Sequence, residues 1–455
     1  MQRVIQTTNP MVRSVFPVVV FFLAAIFSGI WEKMPFLADF HVLMILGAVA
    51  LIMVGLSGRL VVVLNNPIGR SLAYFTAWAV VCVPFAVWPG GSFALLRDIW
   101  SRSALTFLLV AGCVLTIDQS RTIFKTIGYS VGVLAILALV LRGVDKTGRL
   151  GLLGTRYENA NNLAWTLIVG LCFLVFLYVR GRRLQKFIVV IFAIAILLAL
   201  VKTGSRAGMI GIGMFVLYGF MQSKPATRIK LAITIPIVLA VLYASAPPEV
   251  RTRYTTFFAS GEDSRIGDIY LAGEDRARAS AAASAENRWK LLRDGIYLTL
   301  KHPVFGVGPG DFMVAQNDLA LARGEFRGAW RVTHNTYIQI SSEMGIPGLI
   351  LYIVLLYQCF KPLNLIARSQ YPGKEGSDLR ELARSLRATF VVLVTVITFG
   401  SFGYDTNIPM MAGLACALSL MAQRYLASLA VPLQVTPTPA VLAEPALEPA
   451  WTSFQ

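Results

Sequence analysis

Long apolar segments recur along the whole 455-residue chain, and they constrain its fold more than any other feature. A helix needs about 20 mostly apolar residues to cross the hydrocarbon layer of a membrane. Segments of this kind lie at residues 15–31, 40–57, 71–88, 100–117, 122–141, 161–179, 184–201, 206–222, 229–245, 334–357, 386–402 and 409–427. Because a soluble core cannot bury so many segments, the sequence predicts an all-α polytopic membrane protein with about twelve transmembrane helices.

The overall composition agrees with a membrane protein and argues against nucleic-acid binding. Hydrophobic residues make up 56% of the chain and charged residues only 14%, whereas about 25% of a soluble domain is charged. The net charge of +17 would suggest nucleic acid in a soluble protein. Here the Lys and Arg residues mostly flank apolar segments, where they orient helices across the membrane. We therefore expect membrane lipids as partners and no nucleic acid.

The distribution of Lys and Arg predicts the orientation of the chain. With alternating spans, the side that holds the N-terminus carries 20 basic residues, and the short loops of the other side carry 9. The remaining 12 lie in the long segment 246–333, and long loops contribute little to this rule. The sequence thus predicts that both termini are cytoplasmic and that 246–333 is extracytoplasmic.

Four regions follow from this topology. Residues 1–245 hold spans one to nine, 246–333 form a long loop between spans nine and ten, and 334–430 hold spans ten to twelve. Within the loop, apolar residues three and four positions apart predict a mostly helical segment. Residues 431–455 are rich in Pro and Ala, which predicts a disordered cytoplasmic tail.

Two arginines on the outer face are candidate anion-binding residues. Ser205 and Arg206 begin span eight, where free N–H groups and a guanidinium suit a phosphate or diphosphate. The alternative for Arg206 is a side chain that reaches lipid head groups or forms an ion pair in its loop. Arg288 lies on the helix of the long loop, where a solvated helix face explains it equally well.

A histidine and three asparagines lie at the start of spans on the same face. His334 and Asn335 open span ten, while Asn159 and Asn162 open span six. A histidine can take a proton from a hydroxyl near neutral pH. The alternative for His334 is an interfacial side chain bonded to a loop carbonyl.

Glu343 lies nine residues after His334, about 13 Å deeper along the helix. An acid at that depth is costly and is a candidate functional residue. The alternative is a neutral carboxyl that bonds a kinked helix. Pro347 cannot donate to the carbonyl of Glu343, and Gly345 and Gly348 flank this proline, so the sequence predicts a kink here.

Several of these stretches together resemble a known family, the O-antigen ligase and O-antigen polymerase superfamily of bacterial membrane glycosyltransferases. The ligase pattern is the nearer of the two, and a run from Asn159 to Asn162 resembles the Asn-rich start of a span in that family. The matching stretches are Thr203-Gly204-Ser205-Arg206-Ala207-Gly208, the run from Asn287-Arg288-Trp289 to Gly310-Asp311-Phe312, and the run from His334-Asn335-Thr336-Tyr337 to Gly345-Ile346-Pro347-Gly348.

The resemblance implies an inverting glycosyltransferase of the bacterial inner membrane. Such enzymes move a glycan from undecaprenyl diphosphate to an acceptor hydroxyl on the periplasmic face, and ligases use lipid A–core as the acceptor. It implies that Arg206 and Arg288 bind the diphosphate and that His334 orients or deprotonates the hydroxyl, with no metal, nucleotide or other cofactor. The expected substrate-contacting residues are Asn335, Asn159, Asn162, Ser205 and Glu343.

Four other functions remain open from the sequence. The first is an O-antigen or exopolysaccharide polymerase, and the second is a protein O-oligosaccharyltransferase. A protein-directed enzyme often has a larger C-terminal periplasmic region, which the predicted short tail disfavours. The third is a lipid-glycan flippase or transporter, but the chain shows no matching interrupted spans in two halves. The fourth is a docking module of a polysaccharide-export assembly.

Overall fold

The computed structural model describes residues 10–34, 42–141, 143–144, 149–246, 248–255, 273–324 and 331–430. Within these ranges the protein is α-helical and has no β-strand, only an isolated bridge between Val144 and Leu150. The segment 431–455, for which the sequence predicts disorder, lies outside the described residues.

The α-helices follow one another with short connections, and we number them in chain order. They are α1 (Pro10–Ser28), α2 (Val42–Leu56), α3 (Arg59–Asn65), α4 (Pro67–Cys82), α5 (Pro89–Leu95), α6 (Ser101–Cys113), α7 (Ile117–Leu141), α8 (Ala160–Arg180), α9 (Arg183–Lys202), α10 (Arg206–Gln222), α11 (Pro225–Ser245), α12 (Pro248–Thr255), α13 (Gly273–Lys301), α14 (Phe312–Ala322), α15 (Thr336–Arg368), α16 (Gly373–Val396) and α17 (Asn407–Ala430).

Every apolar segment that the sequence identifies as a span coincides with one of these helices, which confirms the all-α polytopic membrane fold. Nine helices of the described ranges are long and apolar enough to cross a membrane, or ten if α2 and α3, which bend by 84°, form one span. The other two predicted spans correspond to shorter helices. Helix α6 has 13 residues and directly follows a π-helical turn and α5, and α10 has 17 residues.

The helices pack around one large apolar core. Helix α6 packs against α17, α7 against α8, and α15 against both α4 and α16. The largest fully buried side chains include Trp165, Phe173 and Tyr352. Helix α11, in contrast, has no buried residue along its length. An apolar helix exposed all round is expected to face lipid.

Helix α15 is interrupted at Gly345, whose φ of 70° and ψ of −175° only glycine adopts readily. Pro347 has no N–H to donate to the carbonyl of Glu343. The N–H of Ile346 leaves the helix and donates to the carbonyl of Pro303 at 2.8 Å. The kink that the sequence predicts near Pro347 is therefore confirmed.

The turn that follows α13, residues 303–310, supplies hydrogen bonds that α15 lacks at its interruption. The N–H of Val307 donates to the carbonyl of Ser342 at 2.8 Å, and the N–H of Gly308 donates to the carbonyl of Glu343 at 3.0 Å. An unsatisfied carbonyl in an apolar environment costs several kcal/mol. The turn thus satisfies carbonyl groups that the interruption of α15 releases.

The same packing fixes α13 against the first turns of α15. The hydroxyl groups of Thr299 and Ser341 are 2.9 Å apart. Gly295 lets the two helices approach closely, because a Cβ at this position would lie 2.3 Å from Cγ2 of Ile338. Helix α13 therefore holds Arg288, seven residues before Gly295, near the start of α15.

We predict that Gly345→Ala destabilises the protein strongly. A Cβ at this position would lie 2.0 Å from the carbonyl oxygen of Val304, and the φ of 70° strains any L-residue. We expect a loss of at least about 1–3 kcal/mol in the free energy of unfolding, measured as a lower melting temperature of purified protein in detergent. The control is Gly55→Ala, whose Cβ meets nothing within 4 Å. Equal melting temperatures for the two variants would contradict the role of Gly345.

Candidate functional site

His334 lies directly before α15 in a strained backbone conformation. Its φ of 54° makes it the one non-glycine residue with positive φ in the part of the chain that the structure describes. Its N–H donates to Oγ of Ser401 at 2.9 Å, and the hydroxyl of Thr333 lies 2.9 Å from the same oxygen. A left-handed residue of this kind costs about 1–2 kcal/mol, and such strain is often found at functional sites. Hydrogen bonds from the backbone and from a neighbouring side chain therefore fix this conformation.

The loop between α16 and α17 fixes the first turn of α15. The hydroxyl of Thr336 donates to the carbonyl of Gly400 at 2.7 Å and accepts from the N–H of Phe402 at 2.9 Å. Asn335 caps the helix, because its side-chain oxygen accepts from the N–H of Ile338 at 3.1 Å. The imidazole of His334 is thus attached to a rigid helix start.

Three positive charges act on His334. Burial, followed by the charges of Arg288, Arg149 and Arg331 in that order, lowers the pKa of His334 to about 4. The side chain of Arg331 also donates to the amide oxygen of Asn287, the residue before Arg288. The imidazole is therefore neutral at physiological pH, with a nitrogen lone pair that can accept a proton.

Arg149 connects this group to the starts of α8 and α10. Its Nε donates to the carbonyl of Thr203 at 2.7 Å, and its Nη2 donates to the side-chain oxygen of Asn161 at 2.8 Å. The hydroxyl of Ser205 donates to the same oxygen at 2.9 Å. Ser205 caps α10, and Arg206 follows it as the first helical residue. These hydrogen bonds thus connect Arg149 to Ser205, and so to the start of α10, where the predicted residue Arg206 lies.

The asparagines at the start of α8 differ in their contacts. Asn159 caps the helix, since its side-chain oxygen accepts from the N–H of Asn161 at 2.8 Å. Asn162 is exposed, and its amide makes a long contact of 3.5 Å with the carbonyl of Arg156. Asn159 therefore has a capping role like that of Asn335, whereas the amide of Asn162 is accessible.

Two carboxyl groups, those of Glu343 and Asp311, accept hydrogen bonds at the turn of residues 303–310. The buried carboxyl of Glu343 accepts from the N–H of Gly310 at 2.9 Å. Asp311 accepts from the N–H of Trp88 at 2.9 Å and from the hydroxyl of Ser92 at 3.1 Å, and burial raises the pKa of Asp311. The structure thus places Glu343 against the turn that completes α15, apart from the charges around His334.

Sequence reasoning did not identify Arg149, Arg331 or Ser401 as site residues. Arg149 lies in a short loop and reaches a carbonyl 54 residues away in the chain, and no local pattern distinguishes it from other loop arginines. In the described ranges, no group of three or more His, Cys, Asp or Glu side chains is arranged to hold a metal ion. The positive charge around His334 comes from arginine side chains.

Residues 191–353 match the family model described as O-Antigen ligase. The chain contains an O-antigen ligase-like domain. This confirms the resemblance found in the sequence motifs, and the matched segment includes Arg206, Arg288 and His334. Arg149 and Ser401 contact the ligase-like domain from outside the matched segment. No curated protein matches the chain.

The family match supports a coarse statement of activity. A chain with an O-antigen ligase-like domain and many membrane-spanning helices is a membrane glycosyltransferase of the O-antigen ligase or polymerase type. The substrates of this class of protein are, in general, a lipid-linked glycan and a lipid acceptor.

We predict that His334 makes the stability of the protein depend on pH. An unfolded histidine binds a proton near pH 6.5, whereas folded His334 binds one only near pH 4. The folded state therefore loses stability as the pH falls from about 6.5 to about 4, with no further loss from this group below that range. His334→Asn removes the titration and keeps a residue that tolerates positive φ.

The measurement is the melting temperature of both proteins in detergent between pH 7 and pH 5. We expect the wild-type protein to lose more stability than His334→Asn over this range. Parallel curves for the two proteins would show that the pKa of His334 is not lowered by folding.

Proposed function

We propose that this protein is an inverting O-antigen ligase that transfers a glycan from undecaprenyl diphosphate to a hydroxyl of lipid A–core on the periplasmic face of the inner membrane. The observation that carries the proposal is the position of His334 at the fixed start of α15, where the charges of Arg288 and Arg149 act on its imidazole. A base and an anion-binding group are the two elements that such a transfer requires. The family match supports the reaction class.

The arginines bind the diphosphate of the donor in this proposal. A guanidinium donates two parallel hydrogen bonds to phosphate oxygens, and it keeps its charge in a partly buried site. Arg288 and Arg149 lie close enough to His334 for their charges to act on it. Arg206 is the first residue of α10. Their positive charge stabilises the diphosphate as it leaves with an additional negative charge. Because arginines supply this charge, we propose a metal-independent reaction.

His334 acts on the acceptor. Its neutral nitrogen takes the proton of the acceptor hydroxyl while the oxygen attacks the anomeric carbon of the glycan from the face opposite the diphosphate. The bond from this carbon to the acceptor oxygen forms, and the bond to the diphosphate oxygen breaks. The imidazole takes the proton during the attack and, because its pKa is lowered, then releases it to solvent. The electron pair leaves with the diphosphate, and the anomeric configuration inverts.

The remaining predicted residues support the site in different ways. Asn159, Asn335 and Ser205 position the starts of three helices through their caps. Glu343 positions the turn at residues 303–310 and thereby α13. Asn162 has an accessible amide, and we propose that it donates to a hydroxyl of the bound glycan.

Replacement of Arg288 tests the proposed site directly. We predict that Arg288→Ala lowers the rate of glycan transfer by at least about 100-fold, because the loss of one charge-stabilising donor typically costs a factor of 10²–10³. The assay contains purified protein in liposomes, lipid-linked donor and acceptor, and no ion gradient. The matched control is Arg293→Ala, an exposed arginine on the same helix, which is expected to retain the wild-type rate.

Two outcomes would overturn the assignment. Transfer by Arg288→Ala at the wild-type rate would reject the role of Arg288. A wild-type protein that moves the donor across the membrane, but forms no product in the absence of a gradient, would show a flippase instead of a transferase.

The choice between ligase and polymerase has its own test. We predict that a strain without this protein accumulates long polymer that is not attached to lipid A–core, because a ligase acts after polymerisation. Analysis of the surface glycans by gel electrophoresis distinguishes the alternatives. Single unpolymerised repeats attached to the core would indicate a polymerase.

A further inference from the structure

A cavity lined by several arginines lies far from His334. Helices α8, α10, α15 and α16 line this open cavity, which has a volume of about 850 Å³. Helices α8, α10 and α15 begin at the His334 site, and α16 ends there, whereas the cavity lies toward their other ends. Tyr218 in its wall is 12 residues into α10, about 18 Å from its start. The cavity therefore opens toward the opposite side of the membrane.

The polar part of the cavity wall is positively charged. Arg368, Arg384 and Arg387 line it together with one acid, Glu381. Glu381 forms an ion pair with Arg180, so its charge is already compensated. The wall thus carries an excess of positive charge.

The two arginines of α16 that line the cavity, Arg384 and Arg387, hydrogen-bond to neutral partners among the described residues. Arg387 donates to the hydroxyl of Tyr218 at 3.0 Å and to the side-chain oxygen of Asn364 at 2.8 Å. Arg384 donates to the carbonyl of Ala367 at 3.2 Å. Among the described parts of the chain, no carboxylate lies within ion-pair distance of either guanidinium. Arg387 is partly buried and Arg384 is exposed, and a guanidinium with neutral partners keeps its full charge for an anion.

An apolar part of the wall continues onto the surface that faces lipid. Phe176 and Phe215 line the interior. Val175 and Val179, which also line the cavity, are 43% and 65% exposed. In a membrane, exposed apolar residues on a spanning helix contact hydrocarbon chains. A ligand that enters here meets apolar chains on one side and guanidinium groups on the other.

We propose that this cavity binds the anionic, phosphate-bearing head group of a membrane lipid. Arg384 and Arg387 bind the phosphate oxygens, and the lipid chain lies against Val175 and Val179. The volume lies within the usual range for ligand cavities, about 300–1,000 Å³, and accommodates a head group. A soluble anion would use the arginines but leave the apolar wall without a partner, so the mixed lining favours a lipid.

The charge part of the proposal is tested by lipid binding. The probes are phosphatidylglycerol, undecaprenyl phosphate, zwitterionic phosphatidylethanolamine and inorganic phosphate, each added to purified protein in detergent and measured by native mass spectrometry. We expect both anionic lipids to bind, and the double variant Arg384→Gln/Arg387→Gln to bind them at least about tenfold more weakly, since two charge-assisted hydrogen-bonding groups are lost. The control is Arg183→Gln, an exposed arginine outside the cavity.

The position of the site is tested by filling the cavity without a change of charge. Gly219 lines the cavity, and a Cβ there meets nothing within 4 Å. Gly219→Phe is therefore expected to fold and to exclude the lipid. Gly213→Phe is the matched control, because Gly213 is on the same helix, has equally open space and lies outside the cavity lining.

Each outcome supports or overturns the proposal. Binding of either anionic lipid that is weakened at least tenfold by Gly219→Phe and by the double arginine variant, but by neither control, supports it. Equal binding of phosphatidylethanolamine, binding of inorganic phosphate alone, or lipid binding that is unchanged in both test variants overturns it. The melting temperatures of the variants show whether any loss of binding comes from misfolding.

Discussion

The interruption of α15 and its completion by residues 303–310 hold the rest of the site in place. An apolar environment offers no water to a free carbonyl, so a helix can break there only where other groups supply the missing hydrogen bonds. Here Val307 and Gly308 supply N–H groups, and Trp78 donates from its indole to the carbonyl of Met344 at 2.9 Å. Because this turn directly follows α13, its hydrogen bonds to α15 also determine where α13 lies.

The position of Arg288 follows from that arrangement. The turn holds one end of α13, and the contact between Thr299 and Ser341 holds its last turns against α15. Arg288 then lies near the start of α15, where its charge acts on His334. In the proposed function, Glu343 acts only on the geometry of the site, since its carboxyl accepts from the N–H of Gly310 and stabilises the turn.

Helix starts provide a second source of positive potential. The caps Asn159, Ser205 and Asn335 begin α8, α10 and α15. The bond from Ser205 to Asn161 joins the first two starts, and the charge of Arg149 acts on the third through His334. Each helix start carries free N–H groups and about half a positive charge. In the proposed function, three such starts and several arginines together bind the two phosphate groups of the donor.

The sequence predicts those features that depend on neighbouring residues. Apolar length locates the spanning helices, the missing N–H of Pro347 locates the interruption, and the local motifs around Arg288 and His334 identify the family. It does not predict features that depend on contacts between distant segments. The bond from Arg149 to Thr203 is of this kind, and so is the positive φ of His334, which Ser401 maintains.

Helix α10 is short, and it runs from the His334 site to the cavity lined by Arg384 and Arg387. Its 17 residues span about 25 Å, less than the hydrocarbon thickness of about 30 Å. Arg206 begins this helix, and Tyr218 near its other end binds Arg387. Because α10 is shorter than the apolar layer, the polar groups at its two ends lie close to both head-group regions, and local thinning of the layer brings head groups to them. With fewer residues than a typical span, α10 is therefore within reach of head groups from both sides of the membrane.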